Sequence, residues 1–380
     1  MPTMRIPAGV RRAALSLTCL LVGATLVPRH VVGRDAAAWF ADDRDTAQGL
    51  ADAVADAALA HVTAASFHTG NARFDGEWAM GTQQMTVLGL TQVALAHPEL
   101  RARYSSAIDA AAGRLVDDAT FAFATAAWGQ GPWASLDADR GHGYLGYVAL
   151  ALGSLRELDP DTVHAAAHDR LVDALVRRVE AHPLGIVQTY PGEAYPCDLA
   201  AIVGAIAQHG RITGVDRSAL VARMASIYRA RWIDPDSGYL VQSLRPDGSP
   251  LDAPRASGTA LAGYFWSFAD RDLADELDAA VLEVGATSLF GFGGIREYAP
   301  RHAGHGDIDS GPVVLGVSVS GTGFSIAAAR RRGDADRFVE LVRTAALFGI
   351  PVDHDGKRRF VTGGPLGNAI LLTMLTARRP

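Results

Sequence analysis

Six times along this chain a loop marked by Gly, Pro or Ser opens into a stretch apolar on every side, and each time a more polar, amphipathic stretch precedes it. The apolar stretches cover residues 78–94, 144–155, 197–208, 258–268, 312–328 and 366–376; their amphipathic predecessors lie near 47–65, 101–117, 162–181, 216–231, 271–284 and 334–348. A helix apolar all round belongs inside a protein, and one with a single apolar stripe covers it. Strict alternation of six inner and six outer helices predicts an all-α fold, an (α/α)6 toroid of six helical hairpins. In such a ring the six loops leading into the inner helices converge on one central cavity. Short extended runs at 239–244, between Asp234-Pro235 and Pro246-Asp247-Gly248, and at 291–298 read as small β-hairpin decorations.

No Pro/Ser linker or charge block divides the chain, so residues 39–380, roughly 340 residues, read as one toroid domain. Residues 1–38 read differently. Arg5, Arg11 and Arg12 precede an apolar run from 13 to 27, too short for a span of about 20 residues and suited to an export signal. Ala36-Ala37-Ala38 offers a small-residue cleavage site, and retention as an N-terminal membrane anchor is the rival reading. Either way the globular part is expected to be exported, with membrane contact only through this segment. Cys19 lies in it, which leaves Cys197 alone in the folded domain and excludes a disulfide there. A net charge of −6 with no basic face argues against a nucleic-acid partner and leaves a small-molecule substrate. Lys357 is the only lysine, in a polar turn 353–359 that reads as an exposed loop, so a P-loop, Schiff base or lysine nucleophile has nowhere else to arise. No cofactor is expected.

Chemistry-bearing residues cluster in the loops ahead of the inner helices. The densest run is His302 to Pro312, with His305, Asp307 and Asp309. Pro312 suits a first helical turn with Ser310 or Gly311 as cap. Two carboxylates at i and i+2 cannot both ionise easily, and Asp307, farther from the helix, is the expected proton holder. Structural capping is the plain alternative, and a metal at His302, His305, Asp307 and Asp309 stays open because the spacing matches no strong zinc pattern. The second run is Gln188 to Asp198, where Tyr190, Glu193, Tyr195 and Cys197 precede or open the third inner helix; a thiol at a helix N-terminus gains acid–base competence. Third is His142 in Arg140-Gly-His-Gly-Tyr144. Other loops contribute Glu77, Trp78, Gln84, Arg255 and Asn368 as substrate contacts, and the long irregular segment 121–140 contributes Trp133.

Gly141-His142-Gly143-Tyr144-Leu145 resembles the Gly-His-Leu helix of linalool dehydratase-isomerase-like proteins, and Tyr195-Pro196-Cys197-Asp198 is similar to their Pro-Cys-Glu segment. The resemblance implies an (α/α)6 barrel and a cofactor-independent lyase/isomerase, with His142 and Cys197 in its active site. The family's second cysteine would fall near Ile206. The leading expectation is therefore a dehydratase of a small apolar alcohol, with terpenoid alcohols among the candidates: Asp307 or Asp309 protonates the hydroxyl, and His142, Glu193 and Cys197 remove or relay the proton. A glycoside hydrolase or polysaccharide lyase on the same toroid is the alternative, with Glu193 or Glu77 opposite Asp309 and Trp128, Trp133 and Trp232 stacking on sugars. A non-catalytic envelope scaffold is a third.

Overall fold

The computed structural model describes residues 8–378 with the exception of residue 309. In chain order the helices are α1 (Ala8–Val31), α2 (Ala36–Phe40), α3 (Arg44–Leu59), α4 (Ala72–Ala96), α5 (Arg101–Leu115), α6 (Ala122–Trp128), α7 (Leu145–Leu158), α8 (Ala165–Ala181), α9 (Pro196–Thr213), α10 (Ser218–Ile227), α11 (Ala256–Trp266), α12 (Arg271–Val284), α13 (Val319–Arg331), α14 (Ala335–Gly349) and α15 (Gly364–Leu375). Side chains that compete with the backbone in helix interiors cap them at the ends. Asp43 accepts from Thr46 N at 2.8 Å, Asp270 from Leu273 N at 2.9 Å and Asp334 from Arg337 N at 3.0 Å, each opening an outer helix.

The apolar helices close a ring. α4 packs against α7, α7 against α9, α9 against α11, α11 against α13, α13 against α15, and α15 returns to α4. α3, α5, α8, α10, α12 and α14 cover it outside. This is the (α/α)6 toroid, and the alternation puts the six inner N-termini at one end. Small residues set how closely the inner helices approach. A Cβ at Gly146 of α7 would lie 2.6 Å from the Ile202 backbone nitrogen of α9, and one at Gly204 of α9 would lie 2.6 Å from the Phe265 carbonyl of α11. Larger side chains there would push the ring apart. Tyr264, Phe265 and Trp266 are buried in the core. Between layers, Arg331 of α13 and Asp278 of α12 form a wholly buried ion pair.

Small antiparallel sheets decorate the ring. β1 (Ala286–Leu289), β2 (Phe292–Arg296), β3 (Val313–Val314) and β4 (Val317–Ser318) form one sheet in the order β1-β2-β4-β3; β5 (Pro351–His354) and β6 (Lys357–Phe360) form a hairpin. Four local expectations need correction. Residues 312–318 are a tight β-hairpin instead of helix, so Pro312 does not start α13; Ser318 caps it, accepting from Gly321 N at 3.0 Å. The run 239–244 makes only isolated bridges, Ile233 with Leu240, Val241 with Pro254, and Leu244 with both Ala194 and Pro250. The turn around Lys357 is a hairpin pinned to α3, with Nζ 2.5 Å from Asp56. The segment 121–140 is partly helical, containing α6. α1 spans the apolar run 13–27, and no helix among the described residues is long and apolar enough to cross a membrane.

Candidate functional site

An inner helix has neighbours on two sides and the outer layer behind it, so a residue left partly accessible in its first turns faces the ring axis. Tyr147 of α7, Cys197 and Asp198 of α9, Leu261 of α11, Gly323 of α13 and Ile370 of α15 are such residues, amid buried neighbours. Gly323 and Gly367 have open space where a side chain would stand. Together they outline a water-reachable pit at the end where the inner helices begin.

The segment before α9 builds one side of it. Tyr190 and Glu193 pair across a tight turn in which Gly192 takes φ of 83°, and Tyr195 runs extended before Pro196 sets the first helical turn. The Tyr190 hydroxyl donates to Glu77 of α4. The Arg73 guanidinium stacks 4.6 Å from the Tyr190 ring and donates to both Glu193 oxygens at 3.2 and 3.3 Å. Tyr195 donates to Glu193 Oε2 at 2.9 Å. Deeper in, the Tyr147 hydroxyl donates to Asp198 Oδ1 at 2.5 Å, and the Thr189 hydroxyl donates to Oδ2. The Cys197 Sγ lies 4.0 Å from the same Tyr147 oxygen.

Asp198 keeps an accessible edge although protein surrounds it, as a group on the floor of a pit does. Desolvation raises its pKa above the usual carboxylate value, and the Thr189 and Tyr147 hydroxyls oppose that only in part. Tyr147 and Tyr190 are raised above ordinary phenols, each by burial first; a nearby charge follows, Asp198 for Tyr147 and Glu77 for Tyr190. The site therefore combines a carboxyl biased towards its protonated form with other carboxylates tied to an arginine and two phenols.

His142 lies beside this network without reaching the pit. Its backbone has φ of 54° and its side chain is buried. Nδ1 bonds the Tyr144 hydroxyl, and the ring packs 5.1 Å from that of Trp128. Burial and the charge of Arg178 lower its pKa to about 4, so it is neutral near pH 7. Trp128 in turn donates to the Thr189 carbonyl at 3.0 Å. Arg178 of α8 holds this loop by bonding the carbonyls of Ser135, Ala138 and Gly141.

The run 302–312 makes a separate group. Arg255 pairs with Asp307, and its guanidinium lies 5.8 Å from the Tyr298 ring. Asp307 and Ser310 close a turn on each other, Ser310 N donating to Oδ1 at 2.9 Å, instead of capping a helix. Arg255 thus occupies the carboxylate expected to hold a proton. Asp309 lies outside the described residues, and His305 is exposed. Among the described residues, His302, His305 and Asp307 form no group close enough to share an ion.

The other expected contacts take these places in the fold. Gln84 is buried inside the ring, Trp78 packs edge-on against Phe67 at 5.9 Å, and Trp133 packs on the core. The Asn368 amide clamps Phe360 through both its nitrogen and its oxygen and also bonds the Gly364 carbonyl. Trp232 is fully buried and donates to Gly248 O at 3.1 Å, so it cannot stack on a ligand. Arg73, Tyr147, Thr189 and Asp198 were not singled out by the sequence as site groups. Nor was Glu297, a buried carboxyl between α11 and α13 that accepts from Ser257 at 2.6 Å and is shifted up by desolvation. Thr189 and Asp198 lie inside the run from Gln188 to Asp198, overshadowed there by the tyrosines, Glu193 and Cys197, and the others carry no signature of their own.

No protein-family model matches the chain, and no curated protein is detectably similar to it. Solved structures do resemble its fold. An α-mannanase of glycoside hydrolase family 76 from Bacteroides thetaiotaomicron matches 78% of this chain and 84% of its own at 9% identity, with a TM-score of 0.51. A family 76 glycoside hydrolase from a bovine strain of the same species covers 79% of this chain and 68% of its own at 11% identity, with a TM-score of 0.48. At such identity the likeness extends to the toroid and no further.

Proposed function

We propose that this chain is an exported glycoside hydrolase working in the pit at the inner-helix N-termini. The carrying observation is that Asp198, whose pKa desolvation raises, lies at the start of α9 just past the loop in which Tyr190 bonds Glu77 and Arg73 bonds Glu193. Glycosidic cleavage needs such asymmetry: a carboxylic acid that protonates the departing oxygen and a carboxylate that activates water or attacks the sugar. In this reading Asp198 is the acid and Glu77, held by Tyr190, is the facing carboxylate. Arg73 and Glu193 fix Tyr190 and Tyr195 around them. Tyr195, half-buried beside Glu193, offers a ring suited to packing on a sugar. The toroid shared with the α-mannanase makes α-mannan the first polysaccharide to try.

The test is release of reducing ends from α-mannan and from a panel of other glycans by the purified chain, with Asp198→Asn and Glu77→Gln as controls. Activity that both substitutions abolish supports the reading; glycan cleavage unaffected by either would overturn the assignment of residues. The dehydratase reading retains one observation, the Cys197 thiol beside Tyr147 at the floor of the pit. Conversion of a tertiary terpene alcohol, blocked by thiol alkylation, would favour it instead.

A further inference from the structure

The outer helices run opposite to the inner ones, so the start of α8 and the end of α9 meet at the rim away from the pit. There His168 and Asp169 of α8 face His209 of α9, and one donor atom from each lies within 4.8 Å of the others. His168 is fully buried, and neither of its ring nitrogens has a partner. His209, also buried, bonds Asp169 Oδ1 at 2.8 Å through Nε2, while its Nδ1 is likewise unpartnered. Gln208 Oε1 is a further buried orphan, and it crowds the same spot: a Cβ at Gly153 of α7 would come within 2.2 Å of it and 3.3 Å of His168 Cε1.

Four polar atoms without partners in one buried corner are unusual, because buried polar groups are almost always satisfied. Three of them belong to imidazoles, the commonest metal ligand, and a carboxylate stands in the same corner. We propose that His168, Asp169 and His209 bind one borderline divalent cation of the zinc type, with the Gln208 amide oxygen or a water completing the shell. Two nitrogens and a carboxylate suit zinc, cobalt or nickel better than the hard cations magnesium and calcium. Bonds of about 2.0–2.2 Å require the three donors to draw inward from their present spread. Arg156, which now pairs with Asp169, is the competitor the ion displaces, and its side chain is partly exposed and can turn outwards. The ion would tie an outer helix to an inner one. This inference is independent of the chemistry proposed for the pit.

The experiment uses the full chain, stripped with a chelator and titrated with zinc by calorimetry and with cobalt by its visible absorption. One ion per chain is expected, with a higher melting temperature in zinc. His168→Ala and Asp169→Asn should each weaken zinc binding by roughly a hundredfold or more, since even outer-shell changes cost about 10–100-fold. Arg156→Gln should tighten it by about tenfold or more, a gain that mere disruption of the fold would not produce. Should His168→Ala fail to fold, the half-exposed Asp169 still decides the matter through Asp169→Asn and Asp169→Glu. Failure of the wild-type chain to take up zinc, or uptake unchanged in these variants, would overturn the site.

Discussion

Asp198→Asn should make the protein more stable and much less active at the same time. The exchange is nearly isosteric: the remaining oxygen still accepts from Tyr147, and the Thr189 hydroxyl can rotate to accept from the new amide. What disappears is the proton. Loss of a general acid of this kind lowers turnover by about 10²–10⁴-fold, or about 3–5 kcal/mol of barrier. Stability moves the other way. The folded pKa of Asp198 is raised, chiefly by desolvation. Below the ordinary carboxylate pKa both folded and unfolded chains hold the proton, and the group is neutral to folding. As pH rises past the unfolded value, the unfolded chain ionises first, so stability is lost until pH reaches the folded value and is constant above it. Each tenfold difference in proton affinity between the folded and unfolded chain is worth about 1.4 kcal/mol. Asparagine has no proton to lose, so the variant should escape this decline and melt higher at neutral pH. Melting curves of both proteins from pH 4 to 8, beside kcat on the same preparations, make the comparison. A variant that keeps wild-type turnover, or one that parallels the wild-type pH dependence of melting, would refute the assignment.

Other substitutions separate the remaining ideas. Cys197→Ser should leave glycan cleavage within a few fold of wild type, measured by reducing-end release, because the thiol has no part in a two-carboxyl mechanism. Gly204→Ala should cost about 1–3 kcal/mol in guanidinium unfolding, since its methyl group meets the Phe265 carbonyl in the closed ring. Asp278→Ala should cost about 3–5 kcal/mol in the same assay, by leaving Arg331 charged and buried without its partner.

The ring was legible because it depends on periodicity, which a sequence records at every turn. Four of the six inner helices start within a few residues of where the apolar runs begin, and α4 starts earlier, capped by Asn71. The fifth differs because residues 312–318 can satisfy their backbone in a hairpin against β2, and hydrophobicity alone does not separate that from a helical turn. The site was legible only by region. The loops carrying His142, Tyr190, Glu193 and Cys197 do meet, but direction, which sequence does not carry, decides their roles. His142 turns under Trp128, while Tyr147, three residues past Tyr144 and one turn into α7, points at Asp198. Asp198 itself looked like an ordinary first-turn carboxylate beside a more conspicuous cysteine. Its raised proton affinity comes from desolvation where the ring packs around it, which the hydroxyls of Thr189 and Tyr147 offset only in part. That is a property of the assembled ring, and it makes the residue with the plainest local context the one whose chemistry most depends on the fold.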